Sequence, residues 1–259
     1  MRFWFSLAVL IACPLALRAD PSELHPLRVK GLAHGYVVPA SSVSPDHRYG
    51  IAMYDNTGGN GEPKDDQGPN QIIELKTGRV VGDIVGEAAW VRMPHGEYIP
   101  PKWSEDSTSV VWTVDGKWFP DGVTLVKLAR GKIAWQRNVL KAGQEAILSR
   151  TRRAAPEQYR LKKAENAGNG SAYPEGFSVE VTVAQESRSL LGEEDPSPAK
   201  PEKFVSFPLA VHVSLTSDPK EVAGRSFNLE STLEAVVDAD GHFKVEDFRL
   251  LRKGKPLPR

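Results

Sequence analysis

Trp103-Ser104-Glu105-Asp106-Ser107-Thr108-Ser109-Val110-Val111-Trp112-Thr113-Val114-Asp115 is the stretch that decides the fold. Its opening residues carry turn chemistry, because Ser and Asp side chains bond nearby backbone amides and so compete with helix and sheet. Residues 109–114 are β-branched and aromatic, which suits a strand. An earlier copy runs Val43-Ser44-Pro45-Asp46-His47-Arg48-Tyr49-Gly50-Ile51-Ala52-Met53-Tyr54-Asp55. Ser44 lies over Ser104, Asp46 over Asp106 and Asp55 over Asp115. Each copy is followed by a strand, a glycine turn and a second strand. In the first these are Gln71–Lys76, Thr77-Gly78 and Arg79–Ile84. In the second they are Thr124–Leu128, Arg130-Gly131 and Lys132–Trp135. Ile73–Val81 aligns on Val126–Ala134. The same order twice predicts two related antiparallel β-meanders.

The residues Val43-Ser44-Pro45-Asp46 and Trp103-Ser104-Glu105-Asp106 resemble the WD40-like repeat of the periplasmic TolB-type β-propellers. In that family an S-P-D turn precedes a blade strand. Glu105 departs from the proline of the pattern, and the resemblance covers about Tyr36 to Asn138. It implies blade-like meanders and a mostly non-catalytic scaffold that binds proteins or ligands, although such blades also accompany peptidase domains. Closed propellers use roughly four to eight blades. With two copies, the expectation is a smaller β architecture.

Beyond residue 140 the pattern changes. Gln144–Ala155 is rich in helix formers, with Ile147, Leu148, Thr151 and Ala155 on one face. Pro156 either ends this helix or opens a second through Lys163. Strands are expected over Phe177–Val183, Phe204–Leu215, Phe227–Val237 and His242–Leu250, with Asp240-Gly241 supplying the last hairpin turn. Leu190–Lys203 reads as a surface loop. The fold class is therefore mainly β with an α+β C-terminal part: two blade-like antiparallel meanders, then a helix and a four-stranded antiparallel sheet. The division is 1–19 leader, 20–140 meander region, 141–259 helix plus sheet.

The leader is read as a signal peptide. Arg2 precedes an apolar run from Phe3 to Leu17, too short for a transmembrane helix, and Ala19 offers a small residue before a cleavage point. The expected location is periplasmic or secreted, with no transmembrane span in the mature chain. Leu10-Ile11-Ala12-Cys13 offers an alternative, lipidation at Cys13 and retention at a membrane surface. Cys13 is the sole cysteine, so cleavage after Ala19 removes every thiol and with it any disulfide or thiolate metal site. Basic and acidic residues balance at 33 each, which argues against a nucleic-acid partner.

No catalytic signature stands out. G-x-S-x-G, H-E-x-x-H and the phosphate-binding glycine patterns are absent. His25, His34, His47, His95, His212 and His242 are isolated in sequence. His47 or His95 beside an acidic residue would be the place for a spatially assembled hydrolase site. Asp55, Asp65 and Asp66 do not have calcium-loop spacing, and Asp238 with Asp240 reads as hairpin chemistry. Arg150, Arg152, Arg153, Arg160, Lys162 and Lys163 make the helical region basic, which reads as a solvated face or a patch for an acidic partner. Asn169-Gly170-Ser171 matches a glycosylation sequon, relevant only in a eukaryotic secretory pathway. Trp90, Trp103, Trp112, Trp118, Phe119 and Trp135 crowd the repeats, as core or as a sugar- or peptide-gripping surface. No catalytic, cofactor or metal residues are assigned. The expected function is a non-catalytic binding or interaction module of a bacterial envelope, with an envelope protein or a glycan as partner. The alternatives are a secreted hydrolase or a lipoprotein anchored through Cys13.

Overall fold

The computed structural model describes residues 26–56, 69–91, 98–116, 120–165, 173–183, 204–217, 220–222 and 225–252. The leader with Cys13, together with His25, Asp65, Asp66, His95, Trp118, Phe119, the 169–171 sequon and the 190–203 loop, lies outside them.

The first meander comprises β2 (Tyr36–Pro39), β3 (Tyr49–Tyr54), β4 (Gln71–Glu74) and β5 (Arg79–Asp83). A short β1 (Pro26–Leu27) adds outside β2, and the order is β1-β2-β3-β4-β5. The second repeats the plan with β6 (Lys102–Trp103), β7 (Ser109–Val114), β8 (Gly122–Ala129) and β9 (Lys132–Asn138), in that order. All strand pairs in both sheets are antiparallel. The hairpin glycines Gly78 and Gly131 both take φ +70°, as their alignment requires.

The repeated long strands β3 and β7 are buried at every residue, because each is covered on both faces. Tyr49, Ile51 and Met53 share a core with Trp103, Val110, Trp112 and Val114, so the two meanders pack on each other. On the far face of β3, Ala52 joins Val38 and Ile73 beneath Val29 and Leu32 of the N-terminal segment. On the far face of β7, Val111 joins Val123 and Leu125 in the core built by the C-terminal elements. Strand alternation thus sends side chains of the second meander into two different cores.

α1 (Val139–Ala154) starts as β9 ends. Asn138 caps it, its side chain accepting the Lys141 amide. The helix begins five residues before the expected Gln144. Gly143 hides that turn from a propensity reading, yet the glycine is what lets the helix approach the sheet. A Cβ there would meet Val213 Cγ2 at 3.0 Å and Val181 Cγ2 at 3.1 Å. Ile147, Leu148, Thr151 and Ala155 are buried as their spacing predicts. Pro156 opens α2 (Pro156–Glu165). Arg152 and Lys163 both reach the Glu175 carboxylate, at 2.8 and 3.0 Å, while Lys162 is buried, so the basic residues do not form one free patch.

The third sheet has the order β10 (Ser178–Val183), β11 (Leu209–Thr216), β14 (Glu230–Val237), β15 (Phe243–Arg252). Alternation is clean: Leu209, Val211, Val213 and Leu215 of β11 face α1 and the core. The chain is mainly β with an α+β C-terminal part. In this sheet the expected starts of two strands move furthest. Residues 204–208 are not strand, because Pro208 has no N–H to give a central ladder and β11 begins after it. Phe227 is not in the long strand; Arg225–Phe227 (β13) pairs with Lys220–Val222 (β12) as a separate hairpin.

Candidate functional site

The two S-x-D turns share the same three-bond frame. Ser44 Oγ donates to Asp46 Oδ1 at 2.7 Å and accepts the Tyr49 amide at 3.0 Å, and Asp46 Oδ1 also accepts the Arg48 amide at 3.0 Å. In the second turn Ser104 Oγ donates to Asp106 Oδ1 at 2.6 Å and accepts the Ser109 amide at 2.8 Å, and Asp106 Oδ1 accepts the Thr108 amide at 3.0 Å. His47 and Ser107 occupy the same left-handed position, at φ 57° and 58°. The turns also touch: the Asp46 amide donates to Ser107 Oγ at 3.0 Å. Beside them the Trp103 indole stacks on Tyr49 and donates to the Ser42 carbonyl at 3.0 Å.

Burial alone would push both aspartates up. The Ser44 hydroxyl and Arg48 amide at Asp46, and the Ser104 hydroxyl and Thr108 groups at Asp106, outweigh it and hold both carboxyls below the usual range. Glu175 is likewise held low against its burial by Tyr159 and Lys163. A folded-state pKa below the unfolded one adds stability above the unfolded value and loses it as pH falls through the folded value. Thermal midpoints are therefore expected to hold down to about pH 4 and to fall steeply below it. Asp106→Asn should flatten that acid limb in a midpoint-versus-pH series.

Cross-strand register sets the next feature. Ser109 of β7 pairs with Lys127 of β8, so both side chains leave the same face of the second sheet. The 204–208 segment passes over that face, anchored where the Val205 amide donates to the Trp103 carbonyl at 3.0 Å. Between them lies an open cleft of about 440 Å³, lined by Ser104, Glu105, Asp106, Ser109, Lys127, Val205, Ser206 and Phe207. Lys127 Nζ donates to Thr108 Oγ1 at 2.7 Å and sits 5.7 Å from the Phe207 ring centre. Phe207 in turn meets Trp135 edge-on. Ser109 is wholly buried, and among the described residues its hydroxyl has no hydrogen-bond partner. A buried hydroxyl left unpaired costs about 1–3 kcal/mol, and this one belongs to a residue that lines the cleft.

The other candidates fall elsewhere. His34, His47, His212 and His242 are exposed, and none of them lines the cleft. His212 Nδ1 lies 2.7 Å from Glu234 on the open face of the third sheet. Asp238, Asp240 and His242 bring their potential ligand atoms within 4.8 Å of one another. Asp238 is already engaged by the Asp240 and His242 amides and by Lys244 at 2.6 Å, so the hairpin accounts for the cluster and an ammonium holds the cation's place. Asp55 is half-buried at the end of β3. Trp103 and Trp112 are core; Trp90 and Trp135 are half-buried. Ser109, Lys127 and Phe207 went unnoticed in the sequence. No local pattern singled them out.

Among the described residues no helix is long and apolar enough to cross a membrane. Compared with family models, curated proteins and solved structures, the chain matches none of them.

Proposed function

We propose that this chain is an exported, non-catalytic binding module of a bacterial envelope, and that its ligand occupies the cleft beside the second S-x-D turn. The unpartnered Ser109 hydroxyl, buried against that cleft, carries the reading. The leader at 1–19 supports export, with release after Ala19 favoured over lipidation at Cys13. The paired turns support a binding role of the kind that the WD40-like resemblance suggests: the second turn forms part of the cleft lining at a strand end, and the first braces it through the Asp46 amide bond to Ser107. A hydrolase would need a base within hydrogen-bond reach of a nucleophile. Asp106, held below the usual carboxylate range by Ser104 and Thr108, is a poor base, and none of the described histidines lines the cleft.

The test is a backbone-amide NMR titration of the protein recovered from the periplasm of an expressing bacterium. Neutral oligosaccharides, acidic oligosaccharides and short peptides are added in turn. Saturable shifts should cluster at Ser109, Lys127 and Phe207 with one of these classes. Labelling of Ser109 by a fluorophosphonate would overturn the reading in favour of the hydrolase. Intact mass of the same material should correspond to a chain beginning at Asp20.

A further inference from the structure

We infer that the ligand class is a neutral, hydroxyl-rich one, a sugar unit of a glycan, an assignment that rests on the binding reading above. Three properties of the cleft lead there. The first is charge. Glu105, Asp106 and Lys127 line the same cleft. An anionic ligand would meet two carboxylates, and a cationic one would meet an ammonium. The aromatic face that could hold a cation is already covered by Lys127, 5.7 Å above Phe207.

The second is the hydrogen-bond inventory. Lys127 has three N–H groups and gives one to Thr108 Oγ1. Asp106 offers its Oδ2, which meets Thr108 Oγ1 at 2.8 Å and has further lone-pair capacity. Ser109 and Ser206 add hydroxyls that both donate and accept. Donors and acceptors are therefore mixed on one wall. A sugar hydroxyl donates and accepts from a single atom, so it can bridge an ammonium and a carboxylate. A peptide presents its N–H and C=O groups in fixed alternation, and the edge that would read them is occupied: Val205 is already bonded to Trp103.

The third is shape. Val205 supplies an apolar contact for the C–H face of a ring, beside the Phe207 side chain that Lys127 covers. The volume of about 440 Å³ is at the small-ligand end of binding pockets, roughly 300–1,000 Å³. Ser109 then gains the partner it lacks, so its hydroxyl serves recognition at a cost to stability.

The experiment uses protein amide-shift titration and calorimetry with chitotetraose and maltotetraose as neutral probes, glucose as a monomer, tetragalacturonate as an acidic probe and tetra-alanine as a peptide. At least one neutral tetramer should bind saturably. Ser109→Ala should weaken that binding about tenfold, the loss of one buried hydrogen bond, while leaving the thermal midpoint unchanged or raised. Lys127→Gln should weaken it comparably. A tetramer binding more tightly than glucose would assign the source as a glycan chain, and equal affinity would assign a free sugar; either upholds the class. Cleft shifts with tetragalacturonate or tetra-alanine alone would overturn the class and leave the cleft reading standing. No cleft shift with any probe would sink both. Sugar binding that Ser109→Ala leaves untouched would overturn the assignment of this cleft.

Discussion

Trp103→Ala is expected to destabilise the chain by about 3–5 kcal/mol, the range for truncating a large buried aromatic. Trp103 is 4% exposed and belongs to the core shared by the two meanders. Its ring lies nearly parallel to Tyr49, with centroids 6.4 Å apart. Its indole N–H satisfies the carbonyl of Ser42, a residue with no exposed surface. Truncation would leave a cavity between the sheets and an acceptor unpaired in it. Trp103→Phe keeps much of the ring contact and loses the hydrogen bond, so it should cost less, about 1–2 kcal/mol. Urea denaturation followed by far-ultraviolet circular dichroism and by tryptophan fluorescence would measure both. Coincident transitions are expected, because the second meander shares residues with both major cores. A cost below about 1 kcal/mol for the alanine variant would mean that the meanders do not depend on this contact.

What the sequence made legible here is local chemistry that repeats. Ser44 and Asp46 could be matched with Ser104 and Asp106 because the turn is self-contained: the serine bonds its own aspartate and the amide that starts the next strand. The same holds for Gly78 and Gly131, where a positive φ demands one residue type. The buried face of α1 was readable from its spacing, but its first turn was not. Gly143 lowers helix propensity, and its reason for being there is a distant valine pair, Val181 and Val213. The cleft was illegible for a related reason. Ser109 and Lys127 become neighbours only through strand register, and Phe207 arrives from far along the chain on a segment whose Val205 amide bonds the Trp103 carbonyl. Single residues with no local pattern leave no trace until the sheets are placed. The tryptophans illustrate the converse: clustering in sequence did not reveal that Trp103 and Trp112 lie in the core while Trp90 and Trp135 remain half-buried.

Gly78→Ala should be far more damaging than Gly131→Ala, although the two glycines hold equivalent places at φ +70°. The conformational part is common to both: an alanine held in the left-handed region costs about 1–2 kcal/mol. At Gly131 little is added. A Cβ there would meet Arg79 Nη2 at 3.4 Å and Tyr49 Oη at 3.9 Å, and the first is the end of a flexible side chain. At Gly78 the new atom would lie 1.8 Å from the Lys30 carbonyl oxygen and 3.0 Å from its carbon, both backbone. The N-terminal segment must then lift away. That segment carries Val29 and Leu32, which cover Val38, Ala52 and Ile73. The expected cost is about 3 kcal/mol or more for Gly78→Ala, against about 1–2 kcal/mol for Gly131→Ala, by denaturant midpoint. Hydrogen exchange should localise the difference: the amides of β2 should lose protection in Gly78→Ala and keep it in Gly131→Ala. Equal costs at the two sites would mean that the N-terminal segment does not press on the first hairpin. The repeat would then be symmetric in energy as well as in sequence. A large gap instead makes the first meander depend on a strap that the second does not need, since α1 and the third sheet already cover the equivalent face of the second.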